Sequence, residues 1–276
     1  MEPGHFEGSL LVGIANPATM PRLMQLATHV ALTVGCDITA TRIVTVPGHD
    51  APDLPDDSPS IAEAHELLRG AVECAQGTGV AVDPFVEVAQ SVPEGLTSAV
   101  QVEGAGLLML GYSDDTPEAS GDEKAFDRII HQVARSVACD LVVCKFRADR
   151  TERVVAPISG DPGMRVSALI CRALAEQAGA SIHFVHIAPP GAPPSEGEPL
   201  WEQCSLQYGL DEIGQFETIR SPHPDARLLE EVNGSDLAIL VTPGRSGLAR
   251  AIFGTQAERI ASQATATVLL ARAGSA

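Results

Sequence analysis

Two stretches of this chain lie one over the other without a gap. Val12 to Thr39, VGIANPATMPRLMQLATHVALTVGCDIT, pairs with Ala156 to His183, APISGDPGMRVSALICRALAEQAGASIH. Further along, GAGLLMLG (Gly104 to Gly111) pairs with GSDLAILV (Gly234 to Val241). A chain that writes one plan twice is constrained to two copies of one architecture.

The plan alternates short apolar runs with helical periodicity. In the first copy, strands are expected at Leu10 to Ile14, Ile38 to Val46, Val80 to Val88, Leu107 to Leu110 and Leu141 to Cys144. Helices are expected over Arg22 to Val34, Ile61 to Ala75, Pro93 to Glu103 and Ala125 to Val137, with a polar insert at Tyr112 to Asp122. After the charged linker Arg147 to Arg153 the order restarts. Strands follow at Val154 to Ile158, Ile182 to Ile187, Gly214 to Ile219, Leu237 to Val241 and Thr267 to Leu270. The helices between them are Met164 to Gly179, Trp201 to Gln207, Asp225 to Val232 and Gln256 to Gln263. Alternating strands and helices imply an α/β fold with parallel sheets and right-handed crossovers. The domains are expected at 1–147 and 152–276.

Bulk properties narrow the function. The chain has 276 residues, a net charge of -18, 45% hydrophobic and 20% charged residues, and a pI near 4.7. Lys124 and Lys145 are the only lysines. Repulsion from phosphate would dominate at a nucleic-acid backbone, so that partner class is set aside. No apolar run approaches the ~20 residues of a membrane span, and the start, MEPGHFEGSLLVGIA, has no basic n-region or small-residue cleavage site. A cytoplasmic location is the expectation. The six cysteines, Cys36, Cys74, Cys139, Cys144, Cys171 and Cys204, have no C-x-x-C spacing and read as buried thiols. The acidic loop Pro47 to Ser60, with Asp50, Asp53, Asp56 and Asp57, lacks the ordered spacing of a calcium loop and reads as solvated.

One stretch carries candidate chemistry. After the apolar run Leu237 to Val241 comes Thr242-Pro243-Gly244, and Gly254 stands directly before Thr255 and a helical tract. Gly244 allows a sharp turn and close approach of a ligand to bare backbone. Free N–H groups at the helix start after Gly254-Thr255 favour an anion. Arg245 and Arg250 lie inside the loop, where they can add charge-assisted contacts. Asp161-Pro162 reads as a helix N-cap followed by proline at the first helical position. His183 and His186 are three apart on one strand and point to opposite faces, so they cannot share a metal through it. No nucleophile elbow surrounds Ser159, and neither ANPAT nor SGDPG supplies a dinucleotide fingerprint. An enzyme is not expected.

With these residues in place, the chain resembles a tandem universal stress protein, over nearly the whole length of both halves. VTPGRSGLARAIFGT resembles that family's nucleotide loop, G-x2-G-x9-G-[ST], at Gly244, Gly254 and Thr255, with Val241 at the first glycine position. VVAPIS and ASIHFVHIA resemble the family's first and second strands. The resemblance implies a Rossmann-like five-stranded parallel sheet in each half, in order 3-2-1-4-5, akin to the adenine nucleotide alpha hydrolase scaffold. It also implies two halves meeting as a pseudo-dimer through their last strands, and adenine nucleotide (ATP or AMP), with any Mg carried by the nucleotide. The implied site residues are Ser159, Ile187 through its backbone, Gly244, Arg245, Gly254 and Thr255. Where ATP-binding members place an aspartate at the end of strand one, this chain has Ser159 and, in the first half, Ala15. In the first half Gly111 remains, but Asp114 and Asp127-Arg128 replace the later glycines, and a carboxylate there repels phosphate. Only the second half is expected to hold nucleotide. The implied function is a non-enzymatic stress-response protein. The alternative is a nucleotide-free interaction protein, such as a soluble partner of a membrane transporter; a homodimer is a further possible assembly.

Overall fold

The computed structural model describes residues 8–46, 55, 58–112, 119–147, 149, 151–193, 195–242 and 255–274. Among these, the residues up to Val143 form one compact unit and those from Cys144 onward form another. The division falls inside a strand, Asp140–Lys145, rather than at the predicted linker.

In the first unit the elements are β1 (Ser9–Gly13), α1 (Met20–Val34), β2 (Ile38–Thr45), α2 (Pro59–Cys74), β3 (Val82–Ala89), α3 (Val92–Val102), β4 (Ala105–Tyr112), α4 (Ala119–Ser136) and β5 (Asp140–Lys145). The strands lie in the order β3-β2-β1-β4-β5, and β1 pairs in parallel with both β2 and β4. Helix α2 covers one face of the sheet, where Ile61 and Ala64 pack with Val44, Val86 and Val88. Helix α3 lies on the other face, against Ile43. Helix α4 begins six residues ahead of its predicted start, within the polar insert.

In the second unit the order of elements repeats as β6 (Arg153–Pro157), α5 (Met164–Ala178), β7 (Ser181–Ala188), α6 (Glu198–Tyr208), a 3-10 turn at Leu210–Glu212, β8 (Gly214–Arg220), α7 (Pro224–Asn233), β9 (Leu237–Val241), α8 (Thr255–Gln263) and β10 (Thr267–Arg272). The strands run β8-β7-β6-β9-β10, parallel throughout, with registers Val154↔Ile182, Val154↔Leu237, Ile182↔Gly214 and Thr267↔Leu237. Near-continuous apolar strands are what a sheet covered on both faces requires. On one face Val155, Val185, Ala238 and Val268 meet Leu228, Val232, Ile260 and Ala261 of α7 and α8. On the opposite face the ring of buried Phe184 lies 5.3 Å from that of Trp201 in α6, and Trp201 stacks on Phe216 at 4.9 Å.

Helices α1 and α5 are both 15 residues long. Each stops at a left-handed glycine, Gly35 at φ 73° and Gly179 at φ 67°, a backbone region that other residues enter only with strain. No helix among the described residues is long and apolar enough to cross a membrane.

Candidate functional site

The second unit reverses its strand order beside β6. The chain leaves β6 for β7 on one side, and β9 returns on the other. Open α/β sheets bind ligands outside the carboxyl ends of their strands at such a point.

Three structural features meet there. The first is the end of β7. The Ile158 N–H donates to the Val185 carbonyl at 2.9 Å, and the Ser221 N–H donates to the Ala188 carbonyl at 2.9 Å. Side alternation along β7 therefore turns the backbone of Ile187 toward β6, which has already ended at Pro157. Among the described residues, neither the Ile187 N–H nor its carbonyl has a backbone partner there. A bare donor and acceptor in one edge can take the rim of a planar heterocycle.

The second feature is the turn from Ser159 to Gly163. The Ser159 hydroxyl donates to Asp161 Oδ2 at 2.5 Å and accepts the Asp161 N–H at 3.0 Å. Buried Cys204 of α6 donates its thiol to the Ser159 carbonyl at 3.6 Å, and burial pushes that thiol's pKa up. At the other end of the turn, a Cβ on Gly163 would stand 2.7 Å from the Val241 side chain and 3.3 Å from the Thr242 carbonyl. The turn thus bridges α6 and the end of β9. The predicted N-cap role of Asp161 is corrected: α5 is capped by Gly163 with no side-chain hydrogen bond, and the Asp161 carboxylate is turned back onto Ser159.

The third feature is the exit of β9. Thr242 is fully buried, and both its N–H (2.9 Å) and its hydroxyl (3.1 Å) donate to the Ala271 carbonyl. Helix α8 then starts at Thr255, the position predicted for the anion-binding turn. Gly244, Arg245, Arg250 and Gly254 lie outside the described residues. Of the predicted site residues, Ser159 stands just beyond the end of β6, Ile187 lies in the last residues of β7, past the end of β6, and Thr255 opens its helix. Sequence reasoning read Asp161 only as a cap and Thr242 only as part of the break after the apolar run; the S-x-D spacing could have signalled the role of the first, since Ser and Asp two apart readily bond each other's backbone and side chain.

His186 lies on the Phe184 face, with its ring against Gly197, whose φ is 90°. The segment before α6 is tied down beside it, since Thr218 donates to the Glu196 carbonyl at 2.8 Å. His183 instead faces Glu217 at 3.3 Å. The two histidines point apart, and among the described residues no His, Cys, Asp or Glu group could hold a metal. The acidic loop Pro47 to Ser60 lies almost wholly outside the described residues.

The first unit is arranged differently at the matching point. Arg42, where the second half has His186, donates from Nη1 to the Ala15 carbonyl at 3.1 Å. Ala15 is the counterpart of Ser159, so this unit meets its own strand end with its own guanidinium. Gly111 lies within β4, against Thr19 and Leu23 of the α1 region. Asp114 lies outside the described residues.

A separate cavity of about 470 Å³ lies between α7 and α8, lined by Pro222, His223, Asp225, Leu229, Arg259 and Ile260 among others. Asp225 closes part of it by bonding Gln256 and Arg259 of α8. Of the predicted site residues, Ser159 and Ile187 do not line it.

The universal stress protein family model matches residues 150–272. No curated protein matches the sequence significantly. Among solved structures, a universal stress protein from Archaeoglobus fulgidus DSM 4304 superposes with a TM-score of 0.64 at 13% identity, covering 97% of this chain and 97% of its own. The cytoplasmic domain of a prokaryotic cation chloride cotransporter gives 0.63 at 13% identity, over 98% of this chain and 96% of its own. A putative universal stress protein from Pseudomonas aeruginosa UCBPP-PA14 gives 0.59 at 17% identity, over 97% and 94%. One universal stress protein domain is thus found in the chain, over residues 150–272, within an α/β fold shared along nearly its whole length with these structures.

Proposed function

We propose that this protein is a non-enzymatic, cytoplasmic regulator of two tandem universal stress protein domains, 1–147 and 152–276, whose second domain binds an adenine nucleotide such as ATP or AMP. The observation that carries the reading is the family match over residues 150–272, which contains every candidate from Ser159 to Thr255. The bare backbone edge of Ile187 and the start of α8 at Thr255 support it, because they suit the base and the phosphates respectively. In this reading Gly244 and Gly254 let the loop approach the phosphates, Arg245 adds charge, and any Mg arrives with the nucleotide. The first domain holds none, since Arg42 engages Ala15. Binding acts by shifting the conformation or partner affinity of the protein, with no turnover.

The test is calorimetric titration of the full chain with ATP, beside a Gly254→Asp variant. Binding by the unsubstituted protein and its loss in the variant are expected, because a carboxylate would stand where phosphate should. Equal, negligible heat from both proteins sinks the reading.

A second reading has its own observation. Ser159 and Val241 depart from the ATP-binding pattern, which favours a nucleotide-free interaction protein, for instance a soluble partner of a membrane transporter. The likeness to a cotransporter's cytoplasmic domain concerns the fold alone. This reading expects no nucleotide released on denaturation and a recoverable protein partner.

A further inference from the structure

We propose that the outer edge of β8 is an interface with a second copy of this chain, the two β8 strands pairing antiparallel about Thr218. The inference is independent of any ligand.

β8 is the outermost strand of its unit, with β7 on its inner side. The Ser221 N–H donates to the Ala188 carbonyl at 2.9 Å, one step beyond the last registered pair, Ala188↔Arg220. Alternation along the strand therefore turns the backbone N–H and carbonyl of Gln215, Glu217 and Ile219 toward β7, and those of Phe216, Thr218 and Arg220 outward. Among the described residues, none of these outward backbone groups has a hydrogen-bond partner. The Thr218 hydroxyl and the Arg220 guanidinium donate to the Glu196 and Pro193 carbonyls, but those bonds leave the backbone edge bare. The strand keeps one unbroken register and contains no proline. Such an edge is a template for another strand.

The first unit shows the same place closed. There the Val46 N–H donates to the Ala89 carbonyl at 3.0 Å, so Val82, Pro84, Val86 and Val88 present their backbone outward from β3. Pro84 has no N–H to offer. It stands in the register place of Phe216, since Ala40↔Pro84 repeats as Phe184↔Phe216. An outward proline on an edge strand interrupts an added ladder without disturbing the inner one. Of the two copies of one plan, the second leaves its edge open.

The residues of β8 suit a second β8. Outward residues that face each other across an antiparallel pair exchange both of their hydrogen bonds. Pairing about Thr218 sets Thr218 against Thr218 and Phe216 against Arg220, with roughly six backbone hydrogen bonds in all. On that face each guanidinium lies beside the Phe216 ring of the other copy, where cation and ring attract. On the opposite face Glu217 lies across from Ile219. Pairing about Glu217 instead would set two carboxylates directly opposite each other, about 4.5 Å apart at Cα, which is destabilising. The charge balance favours the same end of the chain. From Cys144 onward carboxylates outnumber arginines and lysines only slightly, whereas before it they do so several-fold. Two second units therefore approach against a weaker field than two first units would.

The experiment is sedimentation equilibrium of the full chain from about 1 to about 100 µM, unsubstituted and as Thr218→Pro, Thr218→Lys and Thr218→Val. The unsubstituted protein is expected to dimerise over that range. Thr218→Pro removes an outward N–H and spares the ladder to β7, so a monomer is expected. Thr218→Lys keeps the backbone but sets two like charges opposite each other, and should weaken dimerisation about fivefold. Thr218→Val, which loses only the bond to the Glu196 carbonyl, should dimerise as before. In the unsubstituted protein, amide hydrogen exchange at Phe216, Thr218 and Arg220 should slow as concentration rises, a readout that needs no variant. A chain that stays monomeric throughout overturns the proposal, and so does a dimer that survives both Thr218→Pro and Thr218→Lys unweakened. Exchange at those three amides that ignores dimerisation also overturns it. A loss in Thr218→Val equal to that in Thr218→Lys does the same, because the Glu196 bond rather than the strand edge would then be responsible.

Discussion

Ser159 carries the point at the residue scale. Read along the chain, it is a departure from a pattern, and Asp161 is a helix cap. In three dimensions the two form one unit, a hydroxyl holding a carboxylate at a strand end. No periodicity contains that fact, because a hydrogen bond two residues apart depends on the turn geometry. The cysteines divide in the same way. Cys144, Cys171 and Cys204 are buried as expected, but Cys74, at the end of α2, is exposed. Cys171 gives a prediction about pH. Burial in α5 pushes its thiol from 9.0 up to about 12, with a Ser167 hydrogen bond acting in the opposite direction. The folded state therefore keeps a proton that the unfolded chain loses. The stability this contributes is complete below about pH 9 and is lost as pH rises toward 12, at up to about 1.4 kcal/mol per pH unit. Urea midpoints measured from pH 8 to 11 should fall less steeply for Cys171→Ala than for the unsubstituted protein. Parallel slopes would contradict the burial argument. Cys144, also fully buried and shifted upward, keeps part of the alkaline loss in the variant.

At the scale of elements, strand and helix types follow from the pattern, while their ends do not. The periodicity gives β9 at its observed limits, and it places α5 to within a residue. It misses the first six residues of α4, where ASGDEK has no apolar stripe to read. Element ends are set by caps and by what the chain meets next. The turn before α5 is the clearest case. Gly163 has φ -62°, which any residue can adopt, so its demand is steric. Gly179 has φ 67° with nothing within 4 Å of its would-be Cβ, so its demand is conformational. Gly163→Ala should cost about 1–3 kcal/mol through overpacking against Val241 and the Thr242 and Ala271 carbonyls. It should also weaken nucleotide binding by moving the Ser159 turn. Gly179→Ala should cost about 1 kcal/mol and leave binding unchanged. Denaturant midpoints at constant m, with ATP titration of both variants, separate the two. A binding loss in Gly179→Ala equal to that in Gly163→Ala would mean that the turn has no special part. The first unit supplies a natural contrast, since the same topological position there is met by Arg42 on the Ala15 carbonyl.

At the scale of the whole chain, the charge of -18 is unevenly spread. Two thirds of the lysines and arginines, but fewer than half of the carboxylates, lie beyond Val143. The field that opposes a phosphate is therefore weaker over the second half than the total suggests. Like-charge repulsion still acts against the folded state. Raising ionic strength from about 0.01 to 0.15 M shortens the screening length from about 30 to about 8 Å. The melting temperature should rise over that range. A fall would mean that surface pairs such as Arg227 with Glu230 and Arg259 with Asp225 contribute more than the repulsion does.

The sequence by itself determined the α/β class, the repeated order of strands and helices, and the glycine stretch after β9. It could do so because strand and helix periods are local and because a glycine before a helix start is a local signal. The tertiary structure decided which groups gather at the end of β6. It turned Asp161 from a cap into a carboxylate at the strand end, left the Ile187 edge bare by ending β6 early, and put Arg42 onto Ala15. Those outcomes depend on where neighbouring strands stop and on which side chain lies across the gap. No single segment encodes either.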